Sequence, residues 1–132
     1  MVLASETEKV LFNTQNQLRK NPRSFLPFIQ NQIKMIEGKT LIRPGKKSLM
    51  TYEGISAWTE TKNALQKQNK LKPLKWQDGL ALAAQDHCND MGKRGKLGHK
   101  GTDGSMVWHR IARYGRVWGN VGENLSFGDS VG

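Results

Sequence analysis

The sequence is poor in cysteine, in long apolar runs and in acid, and each shortage excludes something. Cys88 is the lone cysteine, so no internal disulfide can form and a disulfide-stapled scaffold is excluded; the thiol itself reads as a small core filler. No run approaches the roughly eighteen apolar residues that a membrane helix needs. The opening, MVLASETEKV, has neither a basic n-region nor an apolar h-region, so no secretory leader is expected. With a single thiol, that points to a cytoplasmic or other intracellular protein. Acids number 11 against 21 lysines and arginines, a net charge of +10 over 132 residues. Such a surplus attracts anionic partners, whether an acidic protein surface or anionic lipid. An RNP-like aromatic motif, a zinc finger and a repeated basic-aromatic stripe are all missing, so specific nucleic-acid reading is not expected.

What is present begins with helices. Ser5-x-x-Glu8 is a capping-box pattern, followed by Thr7, Val10, Leu11, Thr14 and Leu18 at helical spacing until Asn21-Pro22. After Pro22, the recurrence of Phe25, Leu26, Ile29, Ile33 and Ile36 predicts a second helix that ends at Gly38. Residues 38–50, GKTLIRPGKKSLM, read as a connecting loop. A third helical face, Ile55, Trp58, Lys62 and Leu65, predicts a helix from about Thr51 to Gln68, stopped by Lys72-Pro73. Asp78 is the expected N-cap of a fourth helix with Leu80, Ala83, Ala84, His87 and Met91 inward, closed by Gly92 and Gly95.

Beyond Gly95 the texture changes to glycine-rich loop, with one short helix expected from Ser105 to Tyr114 and Ser105 as its cap. In VGENLSF, alternation places Val121, Glu123, Leu125 and Phe127 on one face of a short strand. A carboxylate on an apolar face is costly without a partner. Helices first and a short strand late suggest an α+β chain, mostly helical, with a short antiparallel sheet element near the C-terminus.

Five short motifs then occur in one order: Asn16-Gln17-Leu18-Arg19; Leu74-x-Trp76-x-x-x-Leu80-Ala81-x-x-Ala84-x-x-His87; Gly98-His99-x-Gly101-Thr102-Asp103-Gly104-Ser105; Arg110-x-x-x-Tyr114-Gly115; and Gly122-Glu123-Asn124-Leu125. In that order the chain resembles the CAP superfamily, the cysteine-rich secretory, antigen 5 and pathogenesis-related proteins with an SCP-like domain. The resemblance implies an α-β-α sandwich with a surface cleft, lined in part by His99 and Glu123. It also implies a single domain over 1–132, with N-terminal helices and loop in 1–50 and the central helices, cleft loop and strand in 51–132. The domain is expected to be C-terminally incomplete, because the family's later helix, remaining strands and Gly-His signature do not appear. Many relatives are secreted, which makes an extracellular location the alternative.

For chemistry, His99 and Glu123 are the candidate metal pair, two of the three or four ligands that zinc takes; His109 is the candidate third ligand, with a solvent-facing place on the short helix as its alternative. No cofactor is expected, with a divalent cation such as zinc as the alternative. A Ser105, His99, Asp103 triad is disfavoured, because Ser105 lies outside a nucleophile elbow and Asp103-Gly104-Ser105 suits a turn and cap. His87 reads as a satisfied core histidine, and a structural hydrogen bond between His99 and Glu123 outweighs a ligand role. Trp108 and Trp118, with Arg110, Arg113 and Arg116, are the candidate partner-binding residues, since exposed indoles and guanidinium groups anchor interfaces. The expected function is therefore non-catalytic: an interaction or structural subunit whose basic surface and unfinished sheet edge are covered by an acidic protein partner. The alternatives are a module binding a lipid, sterol or divalent cation in the cleft, and, last, a metal-dependent hydrolase.

Overall fold

Ser5 starts the first helix as its spacing from Glu8 predicts. In the computed structural model, which describes residues 4–127, the Ser5 hydroxyl accepts the Glu8 N–H at 3.2 Å and Glu8 Oε2 accepts the Ser5 N–H at 2.6 Å. Both backbone donors of the capping box are thus satisfied, which stabilises the helix end by about 1 kcal/mol. The helix, α1, runs Glu6–Lys20. A 3₁₀ turn, Pro22–Phe25, follows with proline in its first turn, and then α2, Leu26–Lys34. The elements that follow are β1 (Ile36–Glu37), β2 (Thr40–Leu41), β3 (Leu49–Met50), α3 (Ile55–Lys67), α4 (Asp78–Lys93) and α5 (Val107–Ala112). The chain divides into two compact units, Ala4–Lys75 and the stretch from Trp76 onward.

In the first unit α2 packs on α3, and Ile29 and Leu41 are buried. α1 buries no residue completely and is tied instead by polar groups. The Asn16 amide donates to the Leu74 carbonyl at 3.0 Å and accepts the Leu74 N–H at 2.7 Å. Arg19 adds a bond from Nε to the Lys72 carbonyl at 2.9 Å, and its own carbonyl accepts the Leu71 N–H at 2.8 Å. Asn16 and Arg19 lie three apart, so one helix face grips the backbone of an extended segment that has no ladder of its own. In the second unit α4 packs against α5, around buried Ala83, His87, Met91, Arg110 and Ile111.

The α+β class stands, but the sheet is elsewhere than expected. Residues 38–50, read as loop, and Ile36–Glu37, read as the end of the second helix, together hold a three-stranded antiparallel sheet of order β1-β2-β3, with Ile36 opposite Leu41 and Leu41 opposite Leu49. Its strands are two residues long, too short to leave an alternating pattern. Residues 121–127 keep part of their alternation, with Val121, Glu123 and Leu125 half-buried and Gly122, Asn124 and Phe127 exposed. They form no strand, because a strand exists only with a partner and none pairs with them among the described residues.

Three helix starts also move. α3 begins at Ile55 rather than near Thr51, because Gly54 sits at φ +66°, outside right-handed helix space. Gln77, not Asp78, is the N-cap of α4; the Asp78 carboxylate accepts the Trp76 indole N–H at 2.9 Å. Met106 takes the place expected of Ser105 at the head of α5. Its N–H is accepted by His109 Nδ1 at 3.0 Å.

Candidate functional site

The site is assembled on the inner face of α4. Ala83, His87 and Met91 repeat every four residues and are buried, which turns the His87 ring toward the loop that follows. His87 Nε2 donates to the Gly98 carbonyl at 2.9 Å, and its Nδ1 is buried without a partner among the described residues. Val107, Arg110 and Ile111, at i, i+3 and i+4, share one face of α5. Arg110 is therefore drawn in with its apolar neighbours and is only 2% exposed. Its Nη1 donates to the carbonyls of His99, at 3.2 Å, and Ser105, at 2.9 Å. Consecutive carbonyls, 98 and 99, are thus clamped from two helices.

Asp90 anchors the other end of the loop by accepting the Thr102 N–H at 2.7 Å and the Thr102 hydroxyl. Those bonds hold its carboxyl below the usual aspartate range. Asp103 accepts the Ser105 N–H at 2.9 Å. Its pKa is lowered to about 2, first by the Ser105 hydroxyl and backbone, then by Arg113. A Cβ on Gly101 would come within 2.8 Å of both Asp103 Oδ1 and the Ser105 hydroxyl, so a larger residue would displace these side chains.

His99 and Glu123 do meet. Nδ1 lies 2.9 Å from Oε1, and with Glu123 ionised that nitrogen carries the proton and donates. The other carboxylate oxygen, Oε2, accepts from Arg110 Nη2 at 2.6 Å. Burial by itself raises the Glu123 pKa, but the bonds from His99 and Arg110 and the guanidinium charge outweigh it, so the carboxyl is held below the ordinary glutamate range. Both oxygens are spent on protein donors, and the charge that faces the carboxylate is a buried arginine.

That arrangement is a poor fit to zinc. Among the described residues no group of three His, Cys, Asp or Glu could hold a metal, and His99 Nε2 would offer a cation one nitrogen where zinc takes three or four ligands. His109 faces its own helix start, with its ring centroid 5.4 Å from that of Trp108. Ser105, His99 and Asp103 are not arranged as a triad, since Ser105 bonds to Asp103 and His99 to Glu123.

The remaining expected residues divide. Trp118 is 85% exposed, and Trp108 and Arg116 are exposed too. Arg113 is half-exposed and paired with Asp86 at 3.1 Å and Asp103 at 2.9 Å; these bonds raise its pKa, Asp86 first. Arg110, expected at a partner surface, is instead the buried centre of the site, because its helix position counts for more than its charge. Cys88, expected in the core, is exposed. The part played by Arg110 is what sequence reading missed. Its spacing from Val107 and Ile111, set beside an apolar-face glutamate needing a cation, was the available signal.

The sequence model of the family described as "CAP: Cysteine-rich secretory protein family" matches residues 12–131. The chain belongs to the CAP family. No curated protein and no solved structure matches it. Membership accounts for the motif order in this CAP chain, and the contacts give the motifs physical content. The Asn16 to Arg19 motif grips the segment leading to Leu74, and the arginine and glutamate motifs supply the two halves of one ion pair. Among the described residues of this CAP chain, no helix is long and apolar enough to cross a membrane.

Proposed function

We propose that this CAP chain is a non-catalytic interaction or structural subunit that binds an acidic protein surface through the exposed basic and indole groups following α5. The His99, Glu123 and Arg110 cluster serves in this reading as a lock, tying the 98–105 loop to the 121–125 segment. The observation that supports it is the 2.6 Å bond between Glu123 and the buried Arg110. A carboxylate with both oxygens engaged and a lowered pKa is a weak general base, because a base must be free to take a proton near the working pH. Past the lock, Trp118 and Arg116 stand in solvent, the residue types that dominate interface energetics.

Poly-L-glutamate, followed by tryptophan fluorescence, supplies the test. Trp118→Ala and Arg116→Glu should each weaken binding about five-fold with the far-UV circular dichroism unchanged. Raising the salt from about 0.05 to about 0.5 M should weaken it at least about ten-fold. Binding indifferent to salt and to both variants would overturn the reading. Tighter binding to phosphatidylserine vesicles than to polyglutamate would redirect it to lipid, and zinc-dependent hydrolysis abolished by Glu123→Gln would redirect it to catalysis.

A second reading is favoured by one feature of the same unit. Leu80, Ala83, Val107 and Ile111 line a recess of about 230 Å³ with Glu123 and Asn124 in its wall. A lipid or sterol tail is the matching ligand class, although drug-sized sites run to about 300–1,000 Å³. Displacement of a fluorescent fatty acid, lost in Ala83→Trp, is its check.

A further inference from the structure

The β2 to β3 region belongs to the first unit and is used neither by the lock nor by the indole surface. β3 pairs with β2 on one side only, so among the described residues its other edge is unpaired. Such edges are ordinarily blunted by placing lysine or proline on the strand itself. Here the strand is Leu49–Met50, with Met50 76% exposed and the nearby Tyr52 96% exposed. The edge continues into a recess of about 410 Å³ at the start of α3, lined by Thr51, Tyr52, Glu53, Gly54, Ala57, Trp58 and Thr61. The rim is held firmly. Thr51 donates to the Lys39 carbonyl through N–H at 2.8 Å and hydroxyl at 2.7 Å, and its hydroxyl accepts the Gly54 N–H at 3.0 Å. Gly54 is needed for this close approach, since a Cβ there would lie 2.9 Å from the Gly38 carbonyl.

Charge decides the occupant. Residues 38–52 contain Lys39, Arg43, Lys46 and Lys47 and no acid, and Lys46 and Lys47 lie just ahead of β3; Glu53, at the recess, directs an occupant's acids to the lysine end of the strand and its apolar side chain to the recess. The opposite edge, β1, carries the exposed Glu37, which would repel an acidic strand. We propose that the free edge of β3 docks an extended acidic peptide from a protein partner, added as a fourth strand, with one large apolar side chain in the recess beside Trp58. Main-chain bonds to the edge give affinity, the recess reads one side chain, and the lysine pair reads the acids. This surface is independent of the one after α5, and either can fail alone.

The test selects a displayed library of random ten-residue peptides on the full chain, then titrates the best binders by amide NMR. Expected are sequences rich in Glu or Asp around one large apolar residue, shift changes concentrated in residues 46–61, and at least about a ten-fold loss of affinity in the Lys46→Glu, Lys47→Glu double variant. Met50→Pro, at an exposed edge position, should reduce binding with the circular dichroism preserved. The proposal is overturned if no peptide is selected, if the selected peptides lack acids, if the shifts fall outside 46–61, or if binding survives the charge reversal. Binders that shift residues 108–118 instead would support the surface after α5 and sink this one.

Discussion

Residues 4–75 and the stretch from Trp76 onward restrain irregular backbone by opposite means. In the first, neutral or singly charged side chains on helix and turn bond directly to main chain: Asn16 to Leu74, Arg19 to Lys72, Thr51 to Lys39 and Gly54. In the second, Arg110 and Arg113 hold the loops through carboxylates as well as carbonyls, at Glu123, Asp86 and Asp103. The apolar complement differs little, Ile29 and Leu41 in one and Ala83, Met91 and Ile111 in the other. A lean core can thus be supplemented either by side-chain bonds to main chain, which depend little on pH, or by ion pairs, which depend on pH and salt. The charged solution suits the half that holds the glycine-rich loop, since a glycine-rich backbone offers few side chains to pack and many carbonyls to bind.

The sharpest way to break this contrast is Arg110→Met. Removing a buried cation strands Glu123 and frees the His99 and Ser105 carbonyls, so a loss of about 3–5 kcal/mol is expected. Urea titration measures it, and hydrogen exchange should show protection lost over 98–105 first. Equal early loss within 4–75 would mean that the two halves are not held separately. Asn16→Ala should cost about 2 kcal/mol, because a carbonyl and an N–H both lose their partner. That loss should be the same in low and high salt. A salt-dependent loss there would erase the distinction. Ser5→Ala should cost about 1 kcal/mol in the same assay and leave the exchange of residues 98–125 unchanged.

Acid gives the smallest effect and the most selective one. Glu123 has a folded-state pKa below its unfolded value, so its contribution is complete above about pH 4.3, the ordinary glutamate value, and fades as pH falls through the lower folded value. Asp103, at about 2 when folded, behaves likewise from the aspartate value of about 3.9 downward. Loop amides of 98–105 should therefore lose protection in acid before those of 70–75, a difference that Glu123→Gln should diminish.

Helices were easy to read in this sequence because they are local. Ser5 and Glu8 lie one turn apart, and Ala83, His87 and Met91 repeat along α4 whatever else the chain does. The pairing of His99 with Glu123 was implied by the family resemblance that the motif order carries, whereas the alternation in 121–127 said only that a glutamate on an apolar face needs a partner. The sheet in 36–50 was not legible, because two-residue strands are defined by hydrogen bonds across the turn and not by any run of residue types. Arg110 was misplaced for a related reason. Formal charge marks a side chain as surface-seeking, and its burial became favourable only once Glu123 and two loop carbonyls were in reach.

The sequence by itself determined where most helices lie, which family the chain belongs to, and that residue 123 needs a donor. Only the tertiary structure decided that the donor is a buried guanidinium together with an imidazole and that, among the described residues, 121–127 goes without a strand partner and β3 keeps a bare edge. The division follows from range. Caps and helical faces are settled within a few residues, whereas desolvated charge and strand pairing depend on groups that only folding brings together.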